Sequence, residues 1–235
     1  MTITKYTAEI VENTLFSPIV RHLTLSLIDP REINFTAGQY ATFIISPSAR
    51  RSYSFCSNPR IKNIVELCTD NLPQGVGSSW WNKLHVHNQV EFLAPLGKFI
   101  VDINLEKEKI FIATGTGIAP IRSMILDLLE NQKYKQPLRL FFGVRNEENK
   151  LFFEHFRQLE DKYPNFIFQP VISQPNGEWQ GEKGRVNDLV SKTEPKSLNR
   201  SEFYLCGSHS MIVGIKEQLM TMDVNQEDVH FEQFY

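Results

Sequence analysis

Arg51-Ser52-Tyr53-Ser54-Phe55-Cys56-Ser57 places an arginine, a tyrosine, serines and a cysteine within one short run. On an extended backbone alternate side chains share a face, so Arg51, Tyr53 and Phe55 point one way and Ser52, Ser54 and Cys56 the other. An arginine fork suits a pyrophosphate, and a tyrosine offers a flat face to an aromatic ring. A serine hydroxyl both donates and accepts, which suits a ring nitrogen whose protonation changes. The same residues also read as an edge strand with one exposed arginine.

Three further places carry chemistry. Gly75-Val76-Gly77-Ser78 opens a short helical stretch, where free N–H groups favour phosphate; it also reads as a glycine turn with Ser78 as N-cap. Gly115-Thr116-Gly117-Ile118-Ala119-Pro120 lies between a strand and a helix. Its glycines let backbone N–H groups approach a phosphate, although the spacing is not GxGxxG and a tight strand-to-helix turn explains it too. Cys206-Gly207 ends a predicted strand and belongs on the same sheet edge as Gly115, where ligands of open α/β sheets sit; a lone cysteine there is also an ordinary small buried residue. The tail, Phe231-Glu232-Gln233-Phe234-Tyr235, is more aromatic than a fraying terminus needs.

Two kinds of element must position these residues. Up to about residue 103 the chain reads as short β runs: YTAEIVEN, RHLTLSLI, YATFIIS, RSYSFC, IVELCTD, QVEFLAP and KFIVDI, with one helix near Ser78–Leu84. That spacing suggests a small antiparallel barrel or sandwich. From Lys109 strands and helices alternate. KIFIA, LRLFFGV, FIFQPVIS, EFYLC and DVHFEQF read as strands. Helical faces are formed by Ile121, Met124, Ile125, Leu128 and Leu129, by Phe152, Phe156 and Leu159, and by Met211, Ile212, Ile215 and Leu219. Alternation of this kind argues for a parallel sheet covered on both faces. The domains are expected at 1–103 and 109–235, joined by the short charged link Asn104–Glu108.

Composition narrows the function. With 235 residues, 41% hydrophobic and 22% charged, and a formal charge of −2, the chain has no general attraction to nucleic acid or anionic membrane. No apolar run reaches the ~20 residues that span a bilayer, and the start resembles no secretory signal. Three cysteines without CxxC spacing give no zinc or iron–sulfur motif, and suit a cytoplasmic protein. His85 and His87 alternate on one face but lack a third ligand, so no metal is expected.

Taken in order, FTAGQY (35–40), RSYSFCS (51–57), LPQGVGSS (72–79), APLG (94–97), ATGTGIAP (113–120), FGVR (142–145) and YLCGSHSM (204–211) resemble the ferredoxin–NADP reductase family, including reductase parts of bacterial oxygenase systems. The resemblance covers nearly the whole chain. It implies an N-terminal antiparallel β-barrel holding FAD, followed by a doubly wound parallel-sheet domain holding NADH or NADPH. Arg51 is then expected at the flavin pyrophosphate, with Ser52 beside it, Tyr53 stacked on the isoalloxazine and Ser54 at N5. Gly75, Val76, Gly77 and Ser78 would hold the pyrophosphate from the helix side, although relatives often carry a bulkier residue at Gly77. Thr114, Gly115, Thr116, Gly117, Pro120 and Met211 would meet the nicotinamide dinucleotide, with Cys206 and Gly207 flanking its nicotinamide and Glu232 near the reacting centre. Phe234 and Tyr235 compete to cover the flavin.

The resemblance also implies a reductase that passes electrons to a separate ferredoxin, flavodoxin or oxygenase component, since the cysteine cluster of a fused two-iron ferredoxin is absent. A monomer is expected. Arg145 is placed for a 2′-phosphate, but Glu147 and Glu148 would repel one, which tilts the reading towards NADH. Other readings are a free-flavin or cytochrome b5 reductase-like enzyme, and a non-catalytic redox sensor or electron-transfer subunit.

Overall fold

The first half is built on alternation. In β1 (Thr4–Ser17) Tyr6, Ala8 and Ile10 are buried, and in β2 (Val20–Asp29) Leu23, Leu25 and Leu27 are buried, with their neighbours turned away from the core. The computed structural model describes residues 2–71, 74–103, 107–193, 198 and 200–233. With β3 (Tyr40–Ser46), β4 (Ala49–Ser54), β5 (Ile64–Asp70) and β6 (Gln89–Leu96), these strands form an antiparallel six-stranded sheet in the order β4-β3-β6-β1-β2-β5. The sheet curls until its edges touch. Phe55, just past β4, bridges to Leu67 of β5, and the Cys56 N–H donates to the Glu66 carbonyl at 2.9 Å. This half-barrel encloses Phe43, Phe55 and Phe92 together with Trp81 of α1 (Val76–Trp81), whose ring lies 5.1 Å from that of Phe43.

KFIVDI is not a strand. Gly97, at φ +97°, turns the chain after β6, and no strand among the described residues pairs with the segment that follows. Phe99 is buried, while Ile100 and Ile103 are exposed. Alternating hydrophobicity makes a strand only where a partner exists.

The second half follows the parallel plan. Strands β7 (Glu108–Thr114), β8 (Leu138–Val144), β9 (Phe166–Ile172), β10 (Glu182–Lys183), β11 (Ser201–Gly207) and β12 (Val229–Gln233) lie in the order β10-β9-β8-β7-β11-β12, every pair parallel. From β7 the chain walks outward to β10, then returns to the other side of β7 to place β11 and β12. With right-handed crossovers, this reversal puts helices on both faces and opens a switch point between β7 and β11.

The helices are α2 (Ile118–Leu126), α3 (Phe153–Lys162), α4 (Val186–Ser191) and α5 (His209–Thr221). The expected faces of α2 and α5 are buried. On α3, Phe156 and Leu159 are buried, but Phe152 is the cap before the helix, in a left-handed conformation at φ 60°. The two-residue β10 and the six-residue α4 are too short to show periodicity in the sequence. The chain divides into two compact units, Met1–Val101 with Arg122–Asn131, and Asp102–Ile121 with Gln132–Tyr235. Of the expected link, residues 104–106 lie outside the described residues. No helix among the described residues is long and apolar enough to cross a membrane.

One buried ion pair sits in the second unit. Lys109 and Glu202 are register partners on β7 and β11, nearly inaccessible to solvent, and ion-paired. The Tyr204 hydroxyl donates to Glu202 at 3.2 Å and accepts from the Asp102 N–H at 3.2 Å. A buried charge that loses its partner costs far more than the pair contributes. Lys109→Met is therefore expected to destabilise the protein by about 3–5 kcal/mol, and Lys109→Met with Glu202→Leu to recover most of that. Urea unfolding of the three proteins checks this; a double variant no better than the single would remove the explanation.

Candidate functional site

The RSYSFC run enters from β4, where its register with β3 is fixed by Thr42↔Ser52 and Tyr40↔Ser54. Arg51 is exposed and donates one Nη to the Arg50 carbonyl at 2.7 Å. Ser52 is exposed and shares a 2.9 Å hydrogen bond with Thr42. Tyr53 stands edge-on to Phe43 at 5.8 Å and to Trp81 at 5.7 Å. Burial raises the pKa of its hydroxyl. Ser54 is buried.

Gly77 answers to Tyr53. A Cβ there would meet the tyrosine hydroxyl, so a side chain at this position would require that hydroxyl to shift. Ser78 is not the N-cap. Gly75 holds that place, and Ser78, three residues on, accepts the Gly75 N–H at 2.7 Å. The space over Gly75 is open, with no heavy atom within 4 Å of a Cβ built there, and Val76 is exposed.

In the second unit the glycine turn and the end of β11 come together at the switch point. β7 ends at Thr114, Gly115–Gly117 forms one tight turn, and α2 begins at Ile118 with Pro120 inside its first turn. A Cβ on Gly117 would strike the Cys206 carbonyl, and one on Gly207 would strike the Thr114 hydroxyl. That hydroxyl accepts the Ser208 N–H at 3.3 Å. Gly115, at φ +55°, has nothing within 4 Å of its Cβ position. Met211 is buried on α5 beside Gly207.

Register brings Cys206 beside Ala113 on one side and Glu232 on the other. Burial, then the Glu232 charge, pushes the Cys206 thiol well above the ordinary range, so it stays neutral. Arg145 is exposed and donates to Gln174 at 3.0 Å, while the Glu147 carboxylate accepts the Asn176 N–H at 3.0 Å. Phe234 and Tyr235 lie outside the described residues.

Sequence spacing hid one cluster. Cys56 and Cys68 have Sγ atoms 3.7 Å apart, and His22, Cys56 and Cys68 present ligand atoms within 4.8 Å of one another. Burial opposes the Cys56 thiolate, but hydrogen bonds from Cys68 and His22 and the Arg122 charge bring its pKa down to about 6. Burial and Cys56 push Cys68 well above the usual thiol range. His85 and His87 belong to no such cluster among the described residues; His87 contacts Glu9 at 3.0 Å.

Gly75 and Gly115 are exposed with open space beside them, so each leaves its backbone approachable, as a cradle for the phosphate of a cofactor would need. Comparison with known proteins agrees. Residues 7–100 match the family described as "Oxidoreductase FAD-binding domain", and residues 111–217 match "Oxidoreductase NAD-binding domain". The chain is 33% identical over 223 residues to the reductase component DmpP of phenol 2-monooxygenase from Pseudomonas sp. strain CF600; the match covers 93% of this chain and 62% of that protein, so the chain spans less than two thirds of it. Among solved structures, the Amycolatopsis cytochrome P450 reductase GcoB superposes with a TM-score of 0.89 at 25% identity, covering 99% of this chain and 70% of the other. A ferredoxin NADP+ reductase from Neisseria gonorrhoeae with bound FAD and NADP shares the fold over the whole of both chains, with a TM-score of 0.81 at 20% identity.

The cradles give a direct test. Gly75 sits at φ −133°, which any residue adopts. Gly75→Ala should therefore leave thermal stability unchanged or slightly higher, yet lower the flavin retained on gel filtration. Gly115→Asn keeps an accessible left-handed backbone but fills the space, and should weaken nicotinamide nucleotide binding about tenfold, ~1.4 kcal/mol. Full cofactor binding in both variants would show that these spaces are not cradles.

Proposed function

The chain belongs to the ferredoxin–NADP reductase family of flavin- and nicotinamide-dependent reductases, and on that premise we propose that it moves a hydride from NADH to bound FAD and passes the electrons to a separate protein acceptor. The observation that carries this reading is the meeting of Thr114–Gly117 with Cys206–Gly207 at the switch point, with Glu232 next in register. Residues 1–103 hold FAD and residues 109–235 hold the nicotinamide nucleotide. FAD, when bound, supplies a centre that accepts two electrons together and releases them singly or in pairs.

The chain's own residues bind and orient. Arg51 and Ser52 neutralise and fix the flavin pyrophosphate, with Gly75, Val76, Gly77 and Ser78 on its other side. Tyr53 gives the ring system an aromatic wall, held at its angle by Phe43 and Trp81. Ser54, buried at the end of β4, donates to or accepts from the flavin N5 position. Gly115, Thr116 and Gly117 bind the dinucleotide phosphates with backbone N–H groups, supported by Thr114 and Pro120. Cys206, Gly207 and Met211 flank the nicotinamide. A neutral Cys206 adds polarisable bulk without a charge that would disfavour either redox state. Glu232 serves the reacting centre. Positioning of this kind is most of what hydride transfer asks of a protein.

The acceptor is an oxygenase component or a ferredoxin-type protein, a reading supported by the relatives' names. Three free, buried cysteines suit work in the cytoplasm, and the protein acts as a monomer. Glu147, which braces the 174–176 loop near Arg145, supports NADH as donor.

Three outcomes are expected. Anaerobic stopped-flow should show NADH bleaching the flavin faster than NADPH. Ser54→Ala should slow that step about 10–100-fold, as loss of one hydrogen bond in the reacting geometry does, with little change in nicotinamide affinity. Equal losses in rate and affinity would count against Ser54 at N5. Glu147→Gln with Glu148→Gln should raise kcat/KM for NADPH relative to NADH about tenfold. An unchanged ratio would mean that these carboxylates do not set the preference.

A further inference from the structure

The register of the half-barrel assembles a group of side chains that the flavin site does not use. His22 on β2 is the direct partner of Cys68 on β5, and Glu66 lies two residues before Cys68, on the same face of that strand. At the seam, Phe55 bridges Leu67 and Cys56 N–H bonds to the Glu66 carbonyl, which sets Cys56 opposite Glu66. The core side of β5 belongs to Val65 and Leu67, so the group sits on the opposite face. There Arg122 covers it, donating to the Cys56 carbonyl at 2.7 Å and ion-paired with Glu66.

The separation of the two sulfurs is that of a coordination sphere. A tetrahedral zinc with Zn–S bonds of about 2.3 Å holds two sulfurs about 3.8 Å apart. Cys56 Sγ and Cys68 Sγ lie 3.7 Å apart, and His22 completes a set within 4.8 Å. Glu66 Oε2 stands 3.9 Å from His22 Nε2, beside the set of three, and Glu12 Oε1 stands 4.0 Å from the other ring nitrogen. Charge closes as well. Two thiolates and the Glu66 carboxylate offset a dication and Arg122, leaving the group neutral. The His22 side chain is 17% exposed, which gives an ion a route in.

We propose that His22, Cys56 and Cys68 bind a zinc ion, with Glu66 or a water as fourth ligand, and that the ion staples β2 and β5 to the end of β4. Among the described residues the backbone seam consists of one bridge and a neighbouring hydrogen bond, with Arg122 joining the Cys56 carbonyl to Glu66 across it. Because Cys56 lies two residues after Ser54, the staple also fixes the end of the RSYSFC run. Binding displaces two thiol protons to solvent and involves no change of oxidation state.

The test is metal analysis of the purified flavoprotein grown with zinc, backed by titration against a chromogenic chelator. About one zinc per chain is expected, released by a mercurial in step with two of the three thiols. Cobalt substitution should give ligand-field bands to the red of the flavin absorption. Cys68→Ser should lose zinc by more than the ~10–100-fold that loss of an outer partner causes, while retaining flavin. His22→Gln gives the same readout if Cys68→Ser does not fold. A wild-type protein that takes up no zinc in competition with the chelator overturns the proposal. So does zinc content unchanged in both variants, or a Cys56–Cys68 disulfide in place of metal.

Discussion

Two backbone segments of the second half approach so closely that neither has room for a side chain between them. Gly117 lies against the Cys206 carbonyl, and Gly207 lies against the Thr114 hydroxyl. This is a consequence of topology. Where the strand order reverses, between β7 and β11, the loops leaving the two strands diverge to opposite faces, and the first residues of each must clear the other. Clearance without side chains leaves peptide N–H groups pointing outward, and those are the groups a phosphate can use. The packing constraint and the binding property are one arrangement.

That constraint explains what the sequence made legible. Gly115, Gly117 and Gly207 stand out because backbone geometry leaves few other residues possible, so a packing requirement is written as a residue type. The strands of both sheets were legible for a similar reason: burial on one face enforces alternation in β1 and β2, and burial on both faces makes β7, β8 and β11 nearly continuous apolar runs. The failures follow the same logic. KFIVDI alternates correctly but has no partner strand, and pairing is a property of the whole sheet. Ser78 has the right type for a cap, but Gly75 precedes it and takes the position, leaving the serine to close the turn from within.

The cysteines show a different limit. Cys56 and Cys68 are twelve residues apart without any metal-binding spacing, and His22 is further still. Their meeting depends on two registers, β2 against β5 and the single bridge at the seam. A shift of one residue in either would turn a ligand to the opposite face. Motif spacing detects sites carried by one turn or one helix; a site spread over three strands appears only once pairing is known. The same holds for Lys109 and Glu202, whose opposite charges give no hint in the sequence that register will bury them together.

The two halves thus solve their positioning problems by unlike means. In the parallel sheet, position follows from where strands end, and the residues at those ends are small because backbones crowd there. In the curled antiparallel sheet, position follows from side chains braced against one another: Phe43 and Trp81 set the angle of Tyr53, and the Tyr53 hydroxyl occupies the space beside Gly77. A backbone-defined site tolerates surface change but not a methyl group at a crowded glycine. A side-chain-defined site tolerates neighbouring backbone adjustment, but each ring depends on the next. Natural variation in flavin environment is therefore expected to accumulate in the first half through correlated changes at such ring contacts, while the second half keeps its glycines and varies at Arg145, Glu147 and Glu148, where specificity can shift without moving the backbone.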